Sequence, residues 1–160
     1  MDLKLPNSVV SQVDVARLMR ELGALGDFFI STQARQAGAS VQPPRSSGAL
    51  EQLASENKLN LLDGQHRQQL NDALNTLLGQ APLIHISFAA EPSPKALDRI
   101  VSWLRSNIHP QTLLQVGLQP TIVAGCVVRT PNRVLDLSMR AYLKQQEPYL
   151  VELIAGAARG

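Results

Sequence analysis

Hydrophobic positions in residues 8–36 recur every three or four residues, which is the spacing of one face of an α-helix. Ser8 or Ser11 can cap the start of this helix, and Asp14 lies in its first turn. The apolar positions line up as one seam: Val15, Leu18, Leu22, Leu25 and Phe29. We therefore expect a long amphipathic helix within residues 1–37. Its seam either packs inside its own domain or accepts a helix of a partner protein.

The next two stretches differ in their content of Gly, Ser and Pro. Residues 38–48 are rich in all three, which predicts a flexible linker. Residues 49–80 return to helical spacing, and we expect a helical segment there with Gly79 just after its last turn.

From residue 81 the pattern changes to short apolar runs with strict alternation. Ile84, Ile86 and Phe88 face one way and His85 the other, which predicts a half-buried strand over residues 83–90. Ser93 followed by Pro94 predicts a helix start, and this helix is expected to reach about residue 107.

Three more short runs follow, and we expect strands over residues 113–118, 122–128 and 134–135. A helix is then expected from Asp136, interrupted at Pro148 before a short terminal helix. The predicted fold class is α+β: an N-terminal helical region followed by a small mixed β-sheet domain of β-α-β-β(β)-α order, over residues 81–160.

Composition is that of a globular protein, with 160 residues, 44% of them hydrophobic, and a net charge of only +2. No apolar run approaches the ~20 residues of a membrane span, and the first residues lack a secretory pattern. A single cysteine, Cys126, excludes an internal disulfide and reads as a buried strand residue. We expect a soluble, cytoplasmic protein without direct membrane insertion.

The sequence offers no set of residues typical of an enzyme. It has no Gly-rich phosphate loop, nucleophile elbow, paired histidines or acid pair at motif spacing, so we expect no catalytic residues, no cofactor and no metal. His85 has no partner at motif spacing. Trp103, beside Arg99 and Arg105, either covers the edge of the core or serves as an anchor for a partner.

A motif near the C-terminus adds a more specific indication. Ala124-Gly125 leads into an apolar run ending at Arg129, and a turn and Val134-Leu135 follow. The motif then ends in three polar residues and a leucine: Asp136, Ser138, Arg140 and Leu143. In order and spacing, the stretch from residue 82 to about 143 resembles the C-terminal domain of the F-type ATP synthase delta subunit, called the oligomycin-sensitivity-conferring protein in mitochondria. The chain departs from that family at Ala124 and Leu137, where glycine is frequent, and in having only 81 residues before the motif region.

The resemblance implies a non-catalytic peripheral-stalk subunit that takes part in ATP synthesis and hydrogen ion transport. Its implied partners are the b subunits of the stalk and the alpha and beta subunits of the catalytic head, at the cytoplasmic face of the cell membrane. The alternative is a small α+β nucleic-acid-binding module, suggested by the β-α-β-β order and a pI of about 9.0. Against it, RNA-recognition sheets expose aromatic residues, whereas Phe88 is expected to face inward.

Overall fold

The computed structural model describes residues 3–34 and 44–157. Five helices and four strands follow one another along this part of the chain: α1 (Gln12–Ala34), α2 (Gly48–Glu56), α3 (Gly64–Gln80), β1 (Leu83–Phe88), α4 (Pro94–Asn107), β2 (Leu113–Leu118), β3 (Gly125–Arg129), β4 (Val134–Ser138) and α5 (Met139–Ala157). The predicted α+β class with helices ahead of a small mixed sheet is confirmed. Most of the predicted linker, up to residue 43, lies outside the described residues, and its last residue, Gly48, already begins α2.

The chain forms two compact units. The first comprises Met1–Pro82 and Asp98–Leu113, and the second comprises Leu83–Leu97 and Leu114–Gly160. These boundaries differ from the predicted division at residue 81, because residues 98–113 group with the N-terminal helices.

The first unit is organised by α1, whose start is fixed by a reciprocal cap. Ser11 Oγ accepts a hydrogen bond from Asp14 N at 3.3 Å, and Asp14 Oδ2 accepts one from Ser11 N at 2.9 Å. The helix then buries its apolar face among leucines of α2 and α3. The largest fully buried side chains of these three helices are Val15, Leu18, Leu50, Leu53, Leu70 and Leu74.

The second unit is built on a four-stranded sheet of order β2-β1-β3-β4. The β1–β3 and β3–β4 pairs are antiparallel. Backbone hydrogen bonds run from Leu113 N to Pro82 O at 2.9 Å and from Gln119 N to Phe88 O at 2.8 Å. Since both bonds join residues with the same sequence offset, β1 and β2 run parallel.

The structure corrects the predicted limits of the third and fourth strands. Residues Pro120–Ile122 form a 3-10 turn and Val123 has a φ of 69°, so β3 begins only at Gly125. The fourth strand extends to Ser138, and the helix predicted from Asp136 begins at Met139.

Two predicted helix ends are also wrong. Gly79 lies inside the last turn of α3 instead of following it. The predicted break at Pro148 does not occur, because α5 continues through it to Ala157. Pro148 removes one N–H from the helix ladder, which leaves the carbonyl of Lys144 without its helical donor.

Candidate functional site

Among the described residues, no group of three or more His, Cys, Asp or Glu side chains is placed to hold a metal ion. His85 is engaged within the sheet, where its Nε2 lies 3.3 Å from Ser87 Oγ. Arg129 Nη1 donates to the same hydroxyl at 3.2 Å. Of the residues of the sequence motif, Arg129 therefore links β3 to β1.

The other motif residues meet at the start of α5. Met139 N donates to Ala124 O at 2.9 Å, and Ala141 N donates to Ser138 Oγ at 3.1 Å, which caps the helix. Asp136 Oδ1 accepts from Ser138 N at 3.0 Å. These bonds fix the point at which the chain turns from β4 into α5.

Gly125 lies opposite Ser138 in the β3–β4 register, with a φ of +91°. A Cβ at this position would overlap the carbonyl oxygen of Leu137 and would lie 3.1 Å from Ser138 Cα. Only glycine combines this backbone conformation with such a close approach. Four of the motif residues thus act together to form the turn from β4 into α5: Ala124, Gly125, Asp136 and Ser138. Arg140 follows them in the first turn of the helix.

The pKa of the Asp136 carboxyl is lowered from its usual value, chiefly because the hydroxyl and the backbone N–H of Ser138 both donate to it, with a smaller contribution from Arg140. The charged form therefore supports this turn. Burial raises the pKa of the Cys126 thiol on β3. The thiol is accordingly less ready to form a thiolate than an ordinary cysteine.

The helix that leaves this turn presents a long apolar stripe to solvent. None of the residues of α5 is buried. The stripe follows helical spacing, with side chains between 44% and 69% exposed: Met139, Tyr142, Leu143, Tyr149, Leu150, Leu153 and Ile154. The adjoining side of the helix carries Arg140, Lys144 and Glu147, together with the exposed Val151. A stripe of this kind fits the apolar face of another helix.

Part of the stripe could have been found in the sequence. Met139, Leu143, Leu150 and Leu153, with the polar Gln146 between them, keep the alternating spacing of four and three on both sides of Pro148. The expected break at Pro148 concealed this continuity, so Leu150 and Leu153 were not recognised as part of the same face as Leu143.

The seam predicted on α1 is mostly internal. Val15, Leu18, Leu22 and Leu25 are buried in the first unit, so for these four residues the structure favours packing within the domain. Phe29, the last residue of the seam, is half-buried. The guanidinium carbon of Arg67 lies 4.6 Å from the centre of its ring.

A shallow groove continues from Phe29 along α1 and α3. It is lined by Gly23, Gly26, Phe29, Ile30, Leu62 and Arg67, among others. Ile30 is 68% exposed and Leu62 lies beside it on the groove wall, also exposed. This exposed end of the seam remains accessible to a partner.

Trp103 and Arg105 lie on α4 but have different environments. Trp103 is 59% exposed, as expected for an anchor and not for a core residue. Arg105 is half-buried, and its guanidinium donates to the carbonyl oxygens of Leu5, Pro6 and Val9. Burial lowers the pKa of Arg105, and Glu56 partly opposes this. The arginine therefore holds the N-terminal segment, and this role engages most of its donors.

The described strands carry one aromatic residue, Phe88, half-buried at the end of β1. The sheet thus has no row of exposed rings on which nucleic-acid bases could stack. Fold and site together describe a small α+β protein that presents a helix with an exposed apolar stripe. Neither the family models nor the curated proteins give a match to the chain. No helix in the described ranges is both long and apolar enough to cross a membrane.

Proposed function

We propose that this chain is a non-catalytic peripheral-stalk, or stator, subunit of the rotary F-type ATP synthase. It would link the catalytic head to the b-subunit stalk during proton-driven ATP synthesis, as a peripheral protein at the cytoplasmic face of the cell membrane. The observation that carries the proposal is the exposed apolar stripe of α5, whose starting turn is built by the motif residues that resemble the delta-subunit family.

Covering such an apolar stripe with a partner removes it from water and lowers the free energy of the system. The stripe exposes an apolar surface on the order of several hundred Å², comparable with the largest patch on a typical monomer. A helix of 19 residues is about 28 Å long. This length offers several turns of contact to a partner helix, so we assign α5 to the b-subunit helices of the stalk.

The contact with the head is assigned to the first unit. The groove bounded by Phe29, Ile30 and Leu62 is the accessible apolar surface beside the α1 seam, and Arg67 adds a positive charge at its wall. A helical segment of an alpha or beta subunit fits a groove of this type. Trp103 is a further candidate anchor in the same unit.

The function is tested by purifying tagged chain from its native membranes and identifying its partners by mass. Leu143→Ser and Leu150→Ser change the stripe at half-exposed positions, so the isolated fold should keep its stability while the b subunits are lost from the purified complex. Each lost anchor should weaken binding about tenfold or more. Lys144→Ser, on the charged side of the same helix, is the matched control and should retain the b subunits.

Two results would contradict the assignment. The first is retention of all partners by the stripe variants, which would place the contact elsewhere. The second is ATP turnover by the isolated, homogeneous chain. Binding of RNA or DNA by the purified protein in an electrophoretic mobility assay, with no ATP synthase subunits recovered, would favour a nucleic-acid-binding module instead.

A further inference from the structure

One face of the sheet in the second unit carries apolar side chains on three neighbouring strands. Residues that lie directly opposite each other in antiparallel strands share a face of the sheet. Two apolar rows cross the sheet in this way: Ile86, Val128 and Leu135, and beside them Phe88, Cys126 and Leu137. The face is therefore apolar from β1 to β4.

The cover of this face is lost towards β4. Ile86 is 4% exposed, whereas Leu135 is 51% exposed and Leu137 is 63% exposed. Cys126 and Val128, on β3 between them, are half-buried. The sheet patch, formed by Cys126, Val128, Leu135 and Leu137, is therefore open to solvent.

The same unit carries an uncovered apolar helix. Beyond Pro148, the stripe of α5 consists of four exposed residues: Tyr149, Leu150, Leu153 and Ile154. Packing a helix on a sheet is the usual way in which two such surfaces leave water together. Both surfaces nevertheless remain exposed, so α5 does not cover the sheet patch of its own chain.

The connection between β4 and α5 explains why the two surfaces do not meet. The strand ends at Ser138 and the helix begins at Met139, so no loop residue separates them. A helix that folds back onto the sheet that it follows needs a connection of about two to six residues. The junction is also fixed, because Met139 N donates to Ala124 O at 2.9 Å and Ala141 N donates to Ser138 Oγ at 3.1 Å. Closing α5 over its own sheet would break these bonds and unwind the first turn of the helix.

A connection too short for closure within one chain favours the same contact between two chains. We therefore infer that α5 of one copy covers the sheet patch of a second copy, which places its own α5 on the first in return. The two copies exchange their C-terminal helices about a twofold axis. The partner is a second copy because this chain carries both sides of the contact, an uncovered helix and an uncovered sheet face, and cannot join them by itself.

The available area is enough for a specific dimer. A large apolar side chain that is about half exposed leaves on the order of 100 Å² accessible. The stripe beyond Pro148 and the sheet patch, taken in both copies, then offer on the order of 1,200–1,600 Å², the lower part of the range of standard interfaces. A twofold exchange also closes after two copies and does not continue into a fibre.

The exchange does not rest on the proposed function, although both use the stripe of α5. A b-subunit helix and a second copy would compete for this stripe, so the exchanged dimer belongs to the chain outside the complex. The sheet patch takes part only in the exchange. A change in the patch therefore separates the two contacts.

The first test is analytical ultracentrifugation of the full chain over a range of concentrations, starting from the monomer mass of 17.4 kDa. Leu137→Glu changes the sheet patch and Leu150→Lys changes the helix, and each alone should raise the dimer dissociation constant about tenfold or more. Their mixture should dimerise more tightly than either variant. In the mixed dimer, the unchanged helix of the Leu137→Glu copy covers the unchanged patch of the Leu150→Lys copy, and the other contact places Glu near Lys.

The matched control is Val134→Glu. Val134 is exposed on the other face of β4, opposite Arg129, so a carboxylate is tolerated there and the sheet patch is unchanged. This variant should dimerise like the wild type. All variants should be folded by circular dichroism, since the three changed side chains are exposed.

A further variant tests the connection itself. Insertion of about six Gly and Ser residues between Ser138 and Met139 gives α5 the reach to cover its own sheet patch. The variant should therefore be monomeric, while the amides of α5 stay as protected from hydrogen exchange as in the wild-type dimer.

Four results would overturn the exchange. They are a wild-type chain that stays monomeric at about 100 µM, a hundred times a micromolar dissociation constant, a dimer that tolerates Leu137→Glu, a mixture no tighter than its components, and an insertion variant that remains dimeric. In the pull-down from native membranes, Leu137→Glu should still retain the b subunits. A monomeric wild type that recovers the b subunits would reject the exchange and leave the proposed function standing.

Discussion

Replacing Arg105 by Met should destabilise the first unit by detaching its N-terminal segment. The guanidinium donates to Leu5 O at 3.1 Å, to Pro6 O at 2.9 Å and to Val9 O, and its Nε reaches Thr112 O at 3.4 Å. Residues Leu3 and Val9 at either end of this segment are buried in the core. One side chain therefore fixes a segment whose apolar ends fill the interior.

The size of the effect follows from these bonds. A hydrogen bond to a charged group contributes ~1.5–3 kcal/mol when it is removed alone. The four bonds share one guanidinium and are not additive, and removing a half-buried charge recovers part of its desolvation cost. We therefore expect Arg105→Met to lower the free energy of unfolding by ~2–4 kcal/mol.

The control is Arg99→Met, which removes an exposed arginine from the same helix. In urea melts, the free energies of unfolding of the two variants should differ by the whole of this ~2–4 kcal/mol loss. The free energy of unfolding of Arg105→Lys should lie between those of the wild type and Arg105→Met, because lysine keeps the charge but lacks the planar set of donors. Hydrogen exchange at Val9 N, which donates to Pro6 O at 3.0 Å, should accelerate only in the Arg105 variants. If Arg105→Met and Arg99→Met lie within ~0.5 kcal/mol of each other, the segment is held by other contacts.

Three further changes test other parts of the fold. Gly125→Ala should lower the free energy of unfolding in urea melts by ~2–5 kcal/mol, because Gly125 has a positive φ and an added Cβ would overlap the neighbouring strand. Gly26→Ala should instead raise the free energy of unfolding by ~0.5–1 kcal/mol, because the added Cβ on α1 has no atom within 4 Å. Leu18→Ala should lower the free energy of unfolding by ~2–5 kcal/mol, whereas Ile30→Ala, at an exposed position, should leave it almost unchanged. Similar losses in the two variants would mean that the α1 seam is not part of the core. Since the folded-state pKa of Asp136 is lowered, its contribution is present above its unfolded pKa of about 4 and is lost as pH falls through the folded value. The stability difference between wild type and Asp136→Asn should therefore shrink in melts below pH 4, and a constant difference would contradict the assigned hydrogen bonds.

The parts of the fold that the sequence predicts are those with local signals. The alternation through Ile84 and Ile86 identifies β1, and the spacing of the α1 seam identifies the helix α1. In both elements, the residues that repeat at the expected spacing are also the buried residues. The spacing does not indicate whether the apolar seam of a helix packs within its own domain or against a partner protein. For Leu18 the answer depends on the buried leucines of α2 and α3, which lie more than 30 residues later in the sequence.

The errors arise where a local signal is weaker than its usual reading, or where the partner of a residue lies far away in the sequence. Pro148 predicts a break, yet the helix on each side is long enough to continue through the loss of one N–H. The role of Arg105 was hidden because its acceptors lie about a hundred residues earlier in the chain. Local pattern alone contains no information about such a partner.

The motif at the end of the sheet determines how the chain leaves β4 and enters the exposed helix α5. The Asp136 carboxylate accepts the outward N–H of Ser138 at the end of β4, and the Ser138 hydroxyl caps the start of α5. Gly125 allows β3 to approach closely enough for Ala124 O to receive the first N–H of the helix. At this edge the chain therefore favours a protruding helix over an open strand. A partner that reaches this side meets the apolar stripe of α5, a surface suited to a helical ligand.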